Sequence, residues 1–483
     1  MSHRFIKHLC LIGFLILTTS SIAQESELPS LGDSSSAIVS PQEEYKLGHA
    51  WLRELRAHVR IIQDPVINDY LENLIYKLLT YSQVQDKRFD LILIDNDKLN
   101  AFAVPGGIVG IHSGLFTYAK TEDEFASVMA HELAHLSQRH FARGVEEARS
   151  RQLPTLVGIL ASVALIAAGQ GQAGMAAATS VQAANAQTSL TFSRLHEQEA
   201  DRIGMQTLAS AGFDPRAMPN MFQHMQTLYG RSNNIPEFLQ THPVTESRIA
   251  DTRNRAEQYP KRVSDPKLDY ALMQVRVSVL TNTNYSKMVD DFKTELRTAK
   301  TDIQKQSMQY GLVCALLKAA RYAEAQTALQ PLLNNTPYSI PYIYTQADIY
   351  TSMNNPKAAI ELLKQQLRIN TNNDALIRAN IDALIKDKQY KVAEQQIEKH
   401  ITLHEEDPWL WKRLTDVYQL MGKATELHIA RAEVLYLYAR YERALAELQY
   451  ALKSAHGDYV LSSIIKEKEK QVLSAQAFQE DPS

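Results

Sequence analysis

Three stretches of this sequence recur at a spacing of 34 residues, and that recurrence limits the fold of the C-terminal half more than any other feature. Arg321-Tyr322-Ala323-Glu324-Ala325 is followed by Asn355-Pro356-Lys357-Ala358-Ala359, and then by Gln389-Tyr390-Lys391-Val392-Ala393. Ala325, Ala359 and Ala393 hold a small-residue slot where paired helices can touch. Leu329, Leu363 and Ile397 follow four residues on, along the same helix face. A unit this short cannot bury its apolar face alone, so the units must stack, with a continuous core and a concave groove. Glycine becomes sparse and strand signals vanish past about residue 300, which predicts an all-α array over 301–475. Connecting helices over 266–300 lead into it, and a short tail, 476–483, closes the chain. The period slips after residue 420, where Tyr441, Ala444 and Leu448 suggest a helix pair out of phase. Protein binding is the functional reading of such an array; a purely structural helical cap is the plainer one.

At the other end, Arg4 and Lys7 precede an apolar run from Leu9 to Leu17, and Ser21 and Ala23 suit a cleavage site. That order reads as a cleaved secretory signal peptide over 1–23, since the run is far short of the roughly 20 residues a membrane span needs. A Ser-, Gly- and Pro-rich leader over 24–41 follows. Cys314 would then be the one cysteine of the mature chain, so an exported protein must rely on its core rather than on a disulfide. Its length of 483 residues makes that feasible. Net charge is only −3, which gives no sign of a nucleic-acid partner.

Between these ends, residues 42–265 read as a mainly helical α+β domain. Helices are predicted over 42–60 and over 64–79, the second with Asp64 as N-cap and Pro65 in its first turn. Strands are predicted over 89–94, 100–104 and 108–111, the last two joined at Pro105-Gly106-Gly107. Thr121-Glu122-Asp123-Glu124 has the form of a capping box and starts the next helix. From Gln152 to Ser193, 42 consecutive residues carry no formal charge. That run predicts a helical hairpin, either buried in the core, acting as a lid, or meeting a membrane surface peripherally or an apolar client.

His131-Glu132-Leu133-Ala134-His135 lies in the third turn of the capped helix. Two histidines four apart project from one helix face, as one metal ion requires. Glu132, rotated about 100° from His131, stands beside the metal as general base and acid for peptide hydrolysis. A catalytic zinc site takes three protein ligands and keeps one position open. Glu197 and Asp201 share a face of a later helix, whereas Glu199 is rotated about 200° from Glu197 and reads as a solvated charge. Glu197 is therefore the expected third ligand, and Asp201 the acceptor that orients a ligand histidine. His140 reads as a surface or structural histidine. In Thr241-His242-Pro243 with Arg248, His242 is a candidate catalytic residue. It would stabilise the oxyanion, or fill the open metal position and restrain the enzyme; an ordinary loop histidine is the third reading. Arg248 shares that oxyanion or regulatory expectation. The strand Asn100-Ala101-Phe102-Ala103 is expected to bind an extended peptide along its edge.

Together, His131-Glu132-x-x-His135, Glu197-x-x-x-Asp201, Asn100 to Ala103 with Pro105-Gly106-Gly107, and Thr241-His242-Pro243 resemble the gluzincin-type zinc peptidases. That group holds HtpX and the membrane-bound CAAX prenyl proteases. The 34-residue period resembles the tetratricopeptide repeat. The resemblance implies a metallopeptidase domain followed by a repeat solenoid, with one Zn2+ per subunit. Without membrane helices and with an export signal, the chain looks like the periplasmic members of the group. Such a protein would work near the outer membrane, as chaperone and protease for unfolded or stalled β-barrel proteins. Its repeats would dock on the barrel assembly machinery or its clients. The rival reading is a non-catalytic periplasmic adaptor with a structural or occluded metal site.

Overall fold

A computed structural model describes residues 40–150, 194–229, 237–262, 266–455 and 457–480. The expected signal peptide, nearly all of the leader and the uncharged 152–193 segment lie outside the described residues. Among those described, no helix is long and apolar enough to cross a membrane.

The peptidase half begins with α1 (Pro41–His58) and α2 (Pro65–Tyr81). Ser40 and Asp64 cap them, and Pro at the first turn costs no hydrogen bond there. Strands β1 (Asp90–Ile94), β2 (Ala101–Val104) and β3 (Ile108–His112) form one small sheet in the order β1-β3-β2. β1 runs parallel to β3, while β2 pairs antiparallel, with Ala101 opposite Ile111 and Val104 opposite Ile108. β2 is therefore an edge. The turn into β3 needs two left-handed residues, which Gly106 (φ 86°) and Gly107 (φ 81°) supply.

Helix α3 (Gly114–Tyr118) leads to α4 (Glu122–Ser137), which carries the histidine pair. Thr121 caps α4 by accepting from the Glu124 N–H at 3.2 Å. The reciprocal arm of the expected capping box falls one residue early: the Glu124 carboxylate accepts from the Lys120 N–H instead. After α5 (His140–Ser150) come α6 (Arg194–Ser210), α7 (Ala217–Tyr229), α8 (Glu237–Thr241) and α9 (Glu246–Ala256). α6 lies close against α4 because position 204 is glycine. A Cβ there would stand 2.9 Å from the Ala130 carbonyl oxygen and 3.0 Å from the His131 nitrogen.

The core does not stop at the expected boundary near residue 265. Leu272 and Val275 of α10 (Leu268–Leu280), Tyr310 of α12 (Asp302–Lys318) and Tyr342 of α14 (Ile340–Ser352) share one apolar cluster with Leu71, Phe116 and Phe125. Between α10 and α12 lies α11 (Tyr285–Thr298). Arg276 fastens the seam: it donates to both Asp64 oxygens at 2.7 and 2.8 Å and to the Tyr310 hydroxyl at 2.7 Å. Asp64 thus caps α2 and pairs with the next domain. Breaking a buried pair of this kind typically costs about 3–5 kcal/mol.

Helix pairs follow. α13 (Tyr322–Asn335), α15 (Pro356–Leu367) and α17 (Tyr390–Ile401) start 34 residues apart, each packed on the helix before it: α12, α14 and α16 (Asp374–Lys386). The turns between paired helices repeat as well. Ala320, Asn354, Lys388 and Gly422 all have positive φ at the same spacing. One residue on, the N–H groups of Arg321, Asn355, Gln389 and Lys423 bond back to Leu316, Tyr350, Leu384 and Tyr418, closing Schellman turns. The next such residue, Ala439, comes only 17 positions after Gly422, a half repeat. This explains the phase slip. α19 (Ala424–Leu437) puts Ala430 into the cluster of α18 (Pro408–Met421), and Tyr436 and Leu437 into that of α20 (Tyr441–Ser454). One helix serves two pairs. The last helix, α21 (Tyr459–Glu480), covers the end.

The array curls back onto α1. Glu406 meets His49 at 2.8 Å, and Arg53 donates to the Tyr441 hydroxyl at 3.3 Å. A cavity of about 490 Å³ lies in this second seam, lined by Arg56, Glu72 and Asp90 on one side and by Arg378 and residues 402–409 on the other.

Candidate metal centre

Four side chains from two helices and a loop converge at the middle of the peptidase half. His131 and His135 come from α4, Glu197 from α6, and His242 from just past α8. All are at least 96% buried, with exposures of 1, 4, 2 and 2%. His131 Nε2 stands 3.1 Å from His135 Nε2 and 3.4 Å from His242 Nδ1. Glu197 Oε1 is 3.0 Å from His242 Nδ1 and 3.5 Å from His135 Nε2, and its Oε2 is 3.5 Å from His131 Nε2. Ligands about 2.0–2.1 Å from a tetrahedral ion lie roughly 3.3 Å apart. The donor set therefore fits one divalent ion of the zinc type, with His242 Nδ1 as a fourth donor.

The support around these atoms is polar and largely satisfied. Asp201 Oδ1 lies 3.0 Å from His131 Nδ1, which leaves Nε2 as the free lone pair. Arg248 donates to both Asp201 oxygens at 2.7 Å and stands 2.8 Å from Glu197 Oε2; it also donates to the Pro243 carbonyl. The expectation that Arg248 acts at a developing oxyanion needs correction, because its guanidinium is committed to these carboxylates. Burial alone would raise Glu197 and Asp201, but the surrounding histidines and Arg248 hold both below the usual carboxylate range. Burial would likewise lower His131, yet Asp201 and Glu197 hold it at about 9. For His135, burial wins and its pKa falls well below normal.

Of the two readings of His140 the structural one fits its burial, whereas the reading of Glu199 needs correction. His140 is not on the surface; it is fully buried. Its Nδ1 is 2.8 Å from His135 Nδ1, and its Nε2 is 3.2 Å from Glu199 Oε2. Glu199 is no free charge, since Arg143 also donates to it at 2.9 Å. Burial pushes His140 down to about 4, so the ring is neutral. With His135 Nε2 facing the donor cluster, its Nδ1–H donates to His140, whose Nε2–H donates to Glu199. The relay depends on Arg139, whose φ of 50° breaks the helix and turns His140 back toward His135. Helical spacing alone could not find this contact; a histidine soon after the motif was the only signal.

Glu132 sits beside the cluster. It accepts from the backbone N–H of Ala103 on β2, while its Oε1 has no hydrogen-bond partner among the described residues and lies 3.6 Å from His242 Nε2. Burial raises its pKa, with His242 and His131 opposing, so it is a stronger base than a surface glutamate. Asn100 and Ala101 are buried, and Phe102 stacks edge-on against Trp51 at 5.6 Å. The open side of β2 passes directly beside the base.

Residues 65–256 match the model of peptidase family M48. A beta-barrel assembly-enhancing protease of Escherichia coli (strain K12) is 35% identical over 426 residues, covering 88% of this chain and 86% of that protein. The chain belongs to the M48 peptidases, in the group of the beta-barrel assembly-enhancing proteases. The Yersinia pestis member is 33% identical and covers 90% of this chain and 89% of its own. A mitochondrial metalloendopeptidase of Schizosaccharomyces pombe, OMA1, is 33% identical over 180 residues, 37% of this chain and 50% of that one. Membership of M48 makes the chain a metallopeptidase. A tetratricopeptide repeat protein from Parabacteroides merdae aligns over 57% of this chain at 12% identity with a TM-score of 0.28. The repeat architecture here rests on the helix phase instead.

Proposed function

We propose that this protein is a periplasmic zinc-dependent endopeptidase with chaperone-like client binding. It would serve assembly and quality control of outer-membrane β-barrel proteins by degrading stalled or misfolded forms. The names of its M48 relatives support the client class, and the repeat array supports client or assembly-machinery binding. His131, His135 and Glu197 would hold one Zn2+ at this site, with Asp201 orienting His131. When bound, the ion supplies a Lewis acid that polarises the scissile carbonyl and activates water. Glu132 takes the proton of the attacking water and delivers it to the leaving amine. The open edge of β2 aligns an extended peptide through its main chain, and the Ala103 N–H ties that strand to the base.

One observation carries the reading: a buried glutamate, with one oxygen unbonded among the described residues, stands beside four convergent metal donors. A structural site has no use for such a base. The adaptor reading draws on the fourth donor. With an ion bound, His242 Nδ1 would take the position that substrate needs, so the resting enzyme would be restrained until His242 moved aside. Cleavage of an unfolded β-barrel protein by zinc-loaded protein tests both. Activity abolished by Glu132→Gln and raised by His242→Ala supports the restrained peptidase. No metal-dependent cleavage by either wild type or His242→Ala, with all cellular function retained in Glu132→Gln, establishes the adaptor instead.

A further inference from the structure

Outside the peptidase site, one further pair of histidines stands four residues apart, His400 and His404. His400 lies in the last turn of α17 and His404 just beyond it. Their ring centroids are 4.8 Å apart, against 4.7 Å for His131 and His135. A carboxylate completes each group. His400 Nε2 is 2.7 Å from Asp374 Oδ1, and donor atoms of Asp374, His400 and His404 all lie within 4.8 Å of one another. In each group an arginine holds the acid. Arg378 donates to Asp374 Oδ2 at 2.6 Å and to Asp407, as Arg248 donates to Asp201. The His404 ring makes no hydrogen bond among the described residues; its ring contact is with His400.

The surroundings favour a cation. Asp374 and Asp407 share the single guanidinium of Arg378. Across the seam α2 adds Asp69, which accepts from Asn373 at 3.0 Å, and Glu72, which senses Asp374 and Asp407. Negative charge thus exceeds positive around a donor set of two imidazoles and one carboxylate, the chemistry that zinc-class ions take.

We propose that Asp374, His400 and His404 bind a divalent transition-metal ion of the zinc class in the repeat array. Ile401 follows His400 where Glu132 follows His131, so this second site holds an ion without a base for hydrolysis. Asp374 and His404 belong to different elements, and a shared ion ties the 402–407 turn to α16. The same turn carries Glu406, the partner of His49 on α1. The ion would therefore brace the contact between the repeats and the peptidase half.

Zinc content of the full chain tests this, with Glu132→Gln present to stop self-cleavage and excess zinc removed by desalting. About two equivalents per chain are expected, falling to about one in His404→Ala with unchanged circular dichroism. His131→Ala with His135→Ala should also retain about one, and adding His404→Ala should remove it. A starting count of about one, or a count that His404→Ala leaves unchanged, overturns the proposal. Cobalt titration of the His131→Ala/His135→Ala protein gives a check that needs no substitution in the repeats. A visible absorption band from imidazole-bound cobalt supports the second site, and its absence overturns it.

Discussion

The two histidine pairs of this chain share a spacing and a nearby arginine-held carboxylate, yet they sit in different electrostatic settings. Around His131 and His135, Arg248 and the histidines hold Glu197 and Asp201 below their ordinary range. Around His400 and His404 the setting is mixed: Asp374 is held at about 2 and Glu406 below its ordinary range, while burial raises Asp69, and raises Glu72 to about 7. The first pair also has a glutamate between its histidines, with α2, α6, α7 and strand β2 packed against its helix. The lesson is that the spacing brings donors together, while the neighbours decide what the donors can do.

Removing the base should separate the two pairs most sharply. Glu132→Gln is expected to lower peptidase activity by about 10²–10⁴-fold while leaving metal content intact. Parallel measurement of cleavage and zinc content checks this, and metal loss would show that Glu132 shapes the site instead.

The arginines come next. Arg248→Ala leaves two buried carboxylates facing each other and should cost about 3–5 kcal/mol by urea denaturation. Arg378→Ala should cost less, because Asp374 and Asp407 are 13% and 21% exposed and water can replace part of the loss. Equal costs would remove the distinction between the two settings.

A smaller effect is expected from the relay behind His135. His140→Ala or Glu199→Gln should weaken zinc binding by about 10–100-fold, as losses behind a metal ligand typically do. A competitive chelator titration reads this directly.

Smallest is a pH effect at the second pair. The Glu72 carboxyl is pushed up from 4.5 to about 7 by burial, then by Asp374. Its charged form therefore costs stability. The penalty is absent below the unfolded value of 4.5 and is complete once pH has risen through about 7. Glu72→Gln should stabilise the protein by on the order of 1–2 kcal/mol at pH 8 and by almost nothing at pH 4.5. Thermal melts at both values decide it.

Much of the first site was legible because its parts obey helix periodicity. His131 with His135, and Glu197 with Asp201, each share a face, and any reading at 3.6 residues per turn finds them. What periodicity missed lies across breaks or between distant segments. His140 returns to His135 only because Arg139 leaves the helix. Gly204 looks like an ordinary helical glycine until α4 is placed against it. Arg248 reaches its carboxylates from 47 residues away. In the array, the 34-residue phase was readable from alanine and leucine slots. The half repeat showed only as a slip of that phase after residue 420, since Ala320, Lys388 and Ala439 take left-handed backbone without a residue type that advertises it.

The array is fastened to the peptidase half near its start by Arg276 on Asp64, midway by Asn373 on Asp69, and near its end by Glu406 on His49 and Tyr441 on Arg53. Chain connectivity near residue 265 is therefore redundant. A protease that nicked that stretch would yield two fragments that still travel as one particle. The repeats would remain an integral wall of the enzyme rather than a tethered arm.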